Sequence, residues 1–147
     1  MKIKVAWIGK TKEPAIEALT EDYLQRLSRY AEIEGIVLKD EAALARLSGR
    51  DGKSSQKSWL ILLDARGKQL SSEGFAESVR DLQDRSVPVI LAIGPADGFS
   101  AETRSAANTT LSLGKMTLAH ELARVVLLEQ LYRAFTILKG HPYHLGH

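Results

Sequence analysis

The chain has 147 residues, 44% of them hydrophobic and 26% charged, which is typical of a globular protein with one core. It contains no cysteine, which excludes disulfides, thiolate nucleophiles and cysteine metal sites. It has no apolar run of about 18 residues and no signal-peptide pattern, so we expect a cytoplasmic protein without membrane contact. The net charge of +2 permits a phosphate-bearing partner without requiring one.

The first half of the sequence alternates strand and helix patterns. A run rich in Ile and Val predicts a first strand over Ile3–Ile8, and Pro14 favours the start of an amphipathic helix. A second strand is predicted over Ile33–Leu38, and Asp40 is a candidate N-cap for a short helix. The polar stretch 49–57 predicts a surface loop.

The second half continues this alternation. Three apolar runs predict buried strands over residues 59–63, 87–93 and 109–113. A turn is predicted directly after Asp64, followed by a helix capped by Ser71 or Ser72. Ser100 is expected to begin a short helix that ends near residue 107.

The longest predicted helix covers Leu118–Leu138, and its apolar residues leave almost no polar face. Such a helix is expected to be buried on two sides. In a chain of this size one side packs on the sheet, and the other side is expected to meet a second copy of the protein. The sequence therefore predicts a homodimer.

Alternating strands and helices predict an α/β fold in a single domain over residues 1–147, with a mostly parallel sheet and helices on both faces. Ligands of such sheets usually bind beyond the carboxyl ends of the strands. Three loops meet this condition, namely those that follow Leu63, Ile93 and Leu113.

Two of these loops have residues suited to a ligand. The loop Gly94–Phe99 has a glycine near each end, so its backbone can approach a ligand closely. An ordinary strand-to-helix turn explains the same pattern. Ser112–Leu118 precedes the last helix, where N–H groups are available to a ligand or where Thr117 caps the helix. Neither loop matches the dinucleotide or nucleotide-triphosphate motifs.

Arg124 in the long helix lies on the same side as Leu128 and Leu131, where an unpaired charge is costly. We therefore expect an acidic group to meet it. Two alternatives stay open at this point: a carboxylate, such as that of Glu121, Glu129 or a partner chain, and a phosphate of RNA.

Three of the four histidines, His141, His144 and His147, follow one another at a spacing that suggests metal binding. Pro142 prevents a regular helix through them, and no cysteine or carboxylate follows to complete a ligand shell. We therefore predict no metal site and a tail that faces solvent or a partner. No nucleophile elbow or Ser-His-Asp order supports a hydrolase.

Three segments resemble a known family. Residues 93–99 read IGPADGF, residues 111–135 read LSLGKMTLAHELARVVLLEQLYRAF, and residues 141–144 read HPYH. They resemble the ribosomal large-subunit pseudouridine methyltransferase H family, which belongs to the SPOUT class. The resemblance implies a SPOUT fold with a carboxyl-terminal trefoil knot, and a homodimer that binds S-adenosylmethionine in the knot.

The resemblance also implies which residues contact the cofactor. Carried over position by position, they are Leu63, Gly94, Leu113, Gly114, Lys115, Met116, Thr117 and Leu118. They fall in the three loops that the strand pattern predicts. This sequence has Pro95 where the family usually has a second glycine, and Gly114 where serine is common. We expect binding to survive, because Pro95 removes only one N–H and Gly114 keeps its own.

The resemblance further implies methylation of N3 of a pseudouridine in 23S rRNA, on assembled ribosomes. Tyr143 and His144, with His141, resemble the family's carboxyl-terminal motif and are expected to stack on or deprotonate the base. Arg124 and Arg133 are expected to hold phosphate or stabilise the developing anion. We therefore predict Tyr143, His144 and Arg124 as catalytic residues.

Two other functions remain open. The chain could be a SPOUT methyltransferase for another RNA, such as transfer RNA, although it has no appended domain to grip a free RNA. Alternatively, it could be a ribosome-associated protein without catalysis. Binding of S-adenosylmethionine separates the second alternative from the enzyme.

Overall fold

Strands and helices alternate strictly in the computed structural model, which describes residues 1–53 and 56–145. The strands are β1 (Lys2–Ile8), β2 (Glu32–Leu38), β3 (Trp59–Gln69), β4 (Val89–Ile93) and β5 (Thr109–Ser112). The helices are α1 (Pro14–Leu27), α2 (Glu41–Leu47), α3 (Ser72–Arg85), α4 (Ala101–Ala106) and α5 (His120–Leu138). The predicted alternation is confirmed, and in the described residues no helix is long and apolar enough to cross a bilayer.

The five strands form one sheet in the order β2-β1-β4-β3-β5, and every neighbouring pair is parallel. The predicted parallel sheet is therefore confirmed. All five residues of the central strand β4 are buried, as expected for a strand covered on both faces. Because the pairs are parallel, all the carboxyl ends meet at one edge, where ligands of such sheets usually bind.

Helices cover both faces of the sheet, as predicted. On one face α1, α3 and α5 pack against the odd-numbered residues of β1, and Leu128 and Leu131 of α5 lie in that core. On the other face a smaller core contains Leu44 of α2 and Phe99, which lies just before α4. The sheet is thus the middle layer of three.

Side-chain caps begin three of the helices where the sequence predicts them. The carboxylate of Asp40 accepts a hydrogen bond from the N–H of Ala43. The hydroxyls of Ser71 and Ser100 likewise accept from N–H groups in the first turns of α3 and α4. These bonds satisfy donors that a helix start would otherwise leave free.

The turn predicted after Asp64 is wrong, because β3 continues through Gln69. The strand pairs with β5 twice, so that Leu111 faces both Leu63 and, beyond an irregularity in the register, Lys68. A β-carbon on Gly67 would lie 2.6 Å from the carbonyl carbon of Thr110. Glycine permits this close approach and lets the strand resume its pairing.

The last helix begins at His120 and not at Leu118, and Thr117 does not cap it. Its N-cap residue is Ala119, which makes no side-chain cap hydrogen bond. Thr117 instead lies in the loop between β5 and α5, where it faces the cleft described below.

Candidate active site

Three loops meet at the carboxyl edge of the sheet and form a cleft of about 270 Å³. They are the irregular part of β3, the loop after β4 and the loop between β5 and α5. The residues of the predicted cofactor set that line the cleft are Leu63, Gly94, Leu113, Gly114, Met116, Thr117 and Leu118. Lys115, the remaining member of the set, does not line it. The first turn of α5 closes the cleft with His120 and Ala123.

The loop after β4 is a tight turn. The N–H of Gly98 donates to the carbonyl of Pro95 at 2.9 Å, and Gly98 has a φ of +83°, which favours glycine. A β-carbon on Gly94 would lie 3.1–3.2 Å from the ring of Phe99, which is buried. Local geometry therefore accounts for the glycines, and the turn presents its main chain to the cleft.

The loop between β5 and α5 is held by its own first residues. The hydroxyl of Ser112 accepts from the N–H of Gly114 at 3.1 Å and donates to the carbonyl of Gly114 at 2.9 Å. Gly114 has a φ of +136°. Beyond it the side chain of Met116 is 86% exposed, and that of Leu118 is 36% exposed. Apolar groups are thus uncovered at the mouth of the cleft.

Asp64 places a carboxylate beside these apolar groups, although its side chain is only 7% exposed. Burial acts to raise its pKa, but hydrogen bonds from Arg66 and the charges of Arg66 and Arg104 keep the pKa of Asp64 below its usual value. Asp64 therefore carries a negative charge at neutral pH. The sequence pattern identified Asp64 only as the residue before a predicted turn, just beyond a strand, where ligands of such sheets usually bind.

Arg124 belongs to α5, and its side chain is completely buried near the start of this helix. Its guanidinium donates to Thr11 Oγ1 at 2.9 Å and to the carbonyl of Gly9 at 3.2 Å, and lies 5.5 Å from the centre of the Trp7 ring. These acceptors are neutral, and Glu121, one of the carboxylates suggested by the sequence, acts on Arg124 through its charge. The side chain links α5 to the loop after β1, and in this conformation no phosphate can reach it.

Burial lowers the pKa of Arg124 from its usual value, and the charge of Glu121 partly offsets this. The carboxylate of Glu121 accepts from the main-chain N–H groups of Lys12 and Glu13 at 3.1 and 3.2 Å. Arg124 and Glu121 therefore hold the loop after β1 from the same turn of α5.

Tyr143 and His144, the other predicted catalytic residues, lie against the middle of α5. The hydroxyl of Tyr143 donates to Glu129 Oε2 at 2.7 Å, and Nδ1 of His144 lies 3.0 Å from a nitrogen of Arg133. Residues 129–133 are roughly 13 to 20 Å along the helix from His120, at 1.5 Å per residue. Within one protomer the tail is therefore separate from the cleft.

Burial and the hydrogen bond to Glu129 raise the pKa of Tyr143 well above its usual value. Burial acts to raise the pKa of Glu129 as well, but hydrogen bonds from Arg133 and Tyr143 keep it below its usual value. At neutral pH the phenol thus keeps its proton while it faces a charged carboxylate.

Among residues 1–53 and 56–145, no group of three or more His, Cys, Asp or Glu side chains is arranged to hold a metal ion. Nδ1 of His141 accepts from the N–H of Tyr143 at 3.1 Å, while His144 contacts Glu73 and Arg133. His147, the third histidine of the predicted tail, lies outside the described residues.

Two larger grooves, of about 560 and 430 Å³, lie elsewhere on the protein. The first adjoins Lys2 and Glu32 at the amino ends of β1 and β2. The second lies between α2 and α4 beside Arg50, whose guanidinium donates to three main-chain carbonyls and to Asn108. Among the described residues no glycine lines either groove, so the cleft at the carboxyl edge is the better candidate.

Comparison with known sequences gives matches over almost the whole chain. A family model described as "Predicted SPOUT methyltransferase" matches residues 1–144. The protein named Ribosomal RNA large subunit methyltransferase H from Koribacter versatilis is 55% identical over 148 residues, covering 100% of both chains. The protein of the same name from Geobacter sulfurreducens is 43% identical over 152 residues, covering 98% of this chain and 99% of the relative.

Comparison with solved structures shows the same fold at low sequence identity. A probable methylase family protein from Haemophilus influenzae has a TM-score of 0.62 at 14% identity, over 96% of this chain and 69% of that chain. The SpoU methyltransferase AviRb from Streptomyces viridochromogenes, in complex with the cofactor AdoMet, has a TM-score of 0.55 at 13% identity, over 95% of this chain and 59% of that chain.

Proposed function

This chain belongs to the SPOUT methyltransferases and, within them, to the ribosomal RNA large subunit methyltransferase H family, and from this we propose its cofactor and reaction. It transfers a methyl group from S-adenosylmethionine to N3 of a pseudouridine in 23S rRNA, on assembled ribosomes. The observation that carries the proposal is that seven of the eight predicted cofactor residues line one cleft. The trefoil knot of the SPOUT fold is part of the same proposal.

The chemistry of the cleft suits this cofactor. When bound, S-adenosylmethionine supplies an electrophilic methyl group on a positively charged sulfur. Leu63, Leu113 and Leu118 offer apolar surface to the adenine and the methionine chain, and the charged carboxylate of Asp64 suits a cationic ligand. The glycine turns let main-chain groups approach without a phosphate cradle.

The two departures from the family pattern are compatible with binding. Pro95 lacks an N–H, but its carbonyl closes the turn by accepting from Gly98. Gly114 keeps an N–H, which the hydroxyl of Ser112 accepts. Both loops therefore have a defined conformation without the usual residues.

The first prediction concerns the cofactor. Thr117→Trp should weaken binding of S-adenosylmethionine at least about tenfold, or roughly 1.4 kcal/mol, because the indole fills a cleft that exposed Thr117 lines. Isothermal titration calorimetry measures the change. The matched control is Ala119→Trp, at an exposed residue two positions further along and outside the lining, which should bind nearly as the wild type does.

The outcome of this titration separates the enzyme from a ribosome-associated protein without catalysis. No saturable binding to the wild type, even with ribosomes added, would contradict the enzyme. Equal loss in both variants would place the site elsewhere in the loop. Where binding is found, methyl-transfer assays on ribosomes, naked 23S rRNA and transfer RNA identify the substrate, and ribosomes lacking pseudouridine test the target base.

A homodimer is part of the proposal, and it brings the tail and the cleft together. Leu19 of α1 and Leu122 of α5 are 43% and 44% exposed, on two helices that pack against each other. Covering this apolar surface with a second copy removes it from water. Because the tail lies away from its own cleft, we infer that the tail of one protomer completes the cleft of the other.

The second prediction tests this dimer. Leu122→Glu should weaken the dimer at least about tenfold by burying a charge in an apolar contact. Analytical ultracentrifugation measures the dissociation constant. The control is Leu70→Glu, at a side chain 41% exposed that lies before α3, away from α1 and α5. A wild type that stays monomeric at micromolar concentration would rule out the dimer and the shared active site.

A further inference from the structure

Hydrogen bonds connect α3, α5 and the carboxyl-terminal tail in a closed circuit. Its members are Ser72, Glu73, Glu129, Gln130, Arg133 and His144. Successive contacts measure 2.7 Å from Ser72 to Gln130, 2.9 Å from Gln130 to Glu129 and 2.7 Å from Arg133 to Glu129. The circuit closes at 3.0 Å from Arg133 to His144 and 2.9 Å from His144 to Glu73, the neighbour of Ser72.

On a neutral imidazole, one arrangement of protons satisfies the contacts of His144 with Arg133 and Glu73. A guanidinium has donors and no acceptor, so Nδ1 of His144 must offer its lone pair to Arg133. Nε2 must then carry the proton, which it donates to the carboxylate of Glu73. The two carboxylates accept the remaining hydrogen bonds: Arg133 and Gln130 both donate to Glu129, as His144 does to Glu73.

This arrangement bears on how the tail assists methylation. With Nδ1 occupied by Arg133, the imidazole has no lone pair directed at a substrate. The hydroxyl proton of Tyr143 is likewise directed to Glu129. In the docked tail, therefore, neither side chain is set to receive a proton.

The N–H group at Nε2 is the part of His144 that can donate a hydrogen bond to a substrate. Its acceptor, Glu73, has a side chain 65% exposed, whereas that of Glu129 is 21% exposed. A ligand oxygen can therefore displace Glu73 from the edge of the circuit. N3 of a uracil-type base lies between two carbonyl groups, whose oxygens share the negative charge that develops when the N3 proton is lost.

We propose that His144, with its Nδ1 held by Arg133, donates a hydrogen bond from Nε2 to a carbonyl oxygen of the target base. The inference rests on the proposed function. As N3 forms its bond to the methyl carbon, the electron pair of the broken bond stays on sulfur and the N3 proton leaves to solvent. The donor stabilises the charge that spreads onto the carbonyl oxygen.

The test compares two replacements of His144 in single-turnover methylation of ribosomes. Glutamine places an amide N–H near the position of Nε2 and cannot act as a base, whereas leucine supplies neither donor nor base. His144→Leu should lower the rate about 100-fold, as loss of one donor to a developing anion does. His144→Gln should keep at least about a tenth of the wild-type rate. Equal loss in both variants would overturn the donor role.

A spectroscopic measurement keeps this inference separate from the proposed function. Long-range ¹H–¹⁵N correlation of the imidazole in the full-length protein reports which nitrogen carries the proton. The wild type should show the proton on Nε2. A wild-type proton on Nδ1 would overturn the assignment. If no ribosome were methylated, the donor role would be wrong together with the proposed function, but the spectra would still decide which nitrogen of His144 carries the proton.

Discussion

Gly67→Ala should lower the free energy of unfolding by about 2 to 3 kcal/mol and weaken cofactor binding, although it adds a single methyl group. The new β-carbon would lie 2.6 Å from the carbonyl carbon of Thr110 and 2.7 Å from the nitrogen of Leu111. Both atoms belong to the main chain, which cannot rotate away as a side chain can. The cost therefore falls at the upper end of the range for overpacked sites.

The same displacement reaches the cleft. Moving β5 away from β3 shifts Leu111 and Ser112, which directly precede the cleft-lining residues Leu113 and Gly114. Urea unfolding gives the stability, and calorimetry gives the affinity for S-adenosylmethionine. Gly74→Ala in α3 is the control, with a nearest contact of 3.3 Å to the side chain of Ser71, and should change stability by less than about 1 kcal/mol. A Gly67→Ala protein as stable as this control would contradict the close contact.

The α/β class and the helix starts were predictable because their signals are local. Asp40, Ser71 and Ser100 each precede a helix and bond an N–H within three residues, so the cap chemistry is readable from a short window. The buried strands are also readable from a short window. They are apolar runs, because both faces of a parallel sheet are covered. From the resulting alternation, the ligand edge follows without knowledge of the strand order.

The extension of β3 was not predictable from a local window. Asp64 and Gly67 read as a turn, and they do form an irregularity in the strand. What turns the segment back into a strand is the pairing of Lys68 with Leu111, which lies 43 residues later in the numbering. Such a partner is set by the tertiary fold and overrides the turn signal.

The environment of Arg124 shows a further limit. Helical periodicity placed Arg124 on an apolar face, where its charged side chain needs hydrogen-bond or ionic partners. It could not identify those partners, because the acceptors Thr11 and Gly9 lie 113 and 115 residues earlier in the chain. The circuit around His144 was hidden for the same reason, as Glu73 is 71 residues away.

Arg124→Ala should lower the free energy of unfolding by about 3 kcal/mol or more. Arg124 is among the largest completely buried side chains, so truncation leaves a cavity, and comparable truncations of buried side chains cost about 2 to 5 kcal/mol. The change also removes the donors that serve the hydroxyl of Thr11 and the carbonyl of Gly9. Thermal and urea unfolding measure the loss, which should change little with salt because no ion pair at hydrogen-bond distance is broken.

Arg124→Met separates the two contributions, because methionine fills most of the space and makes no hydrogen bond to these oxygens. It should recover more than half of the stability lost in Arg124→Ala, since burial of the guanidinium without a carboxylate partner is itself costly. The loop after β1 then keeps its packing but loses two of its attachments to the turn of α5 that closes the cleft. Affinity for S-adenosylmethionine should consequently fall more than stability in this variant. If Arg124→Met were instead as unstable as Arg124→Ala, the hydrogen bonds, and not the packing, would hold this end of the helix in place.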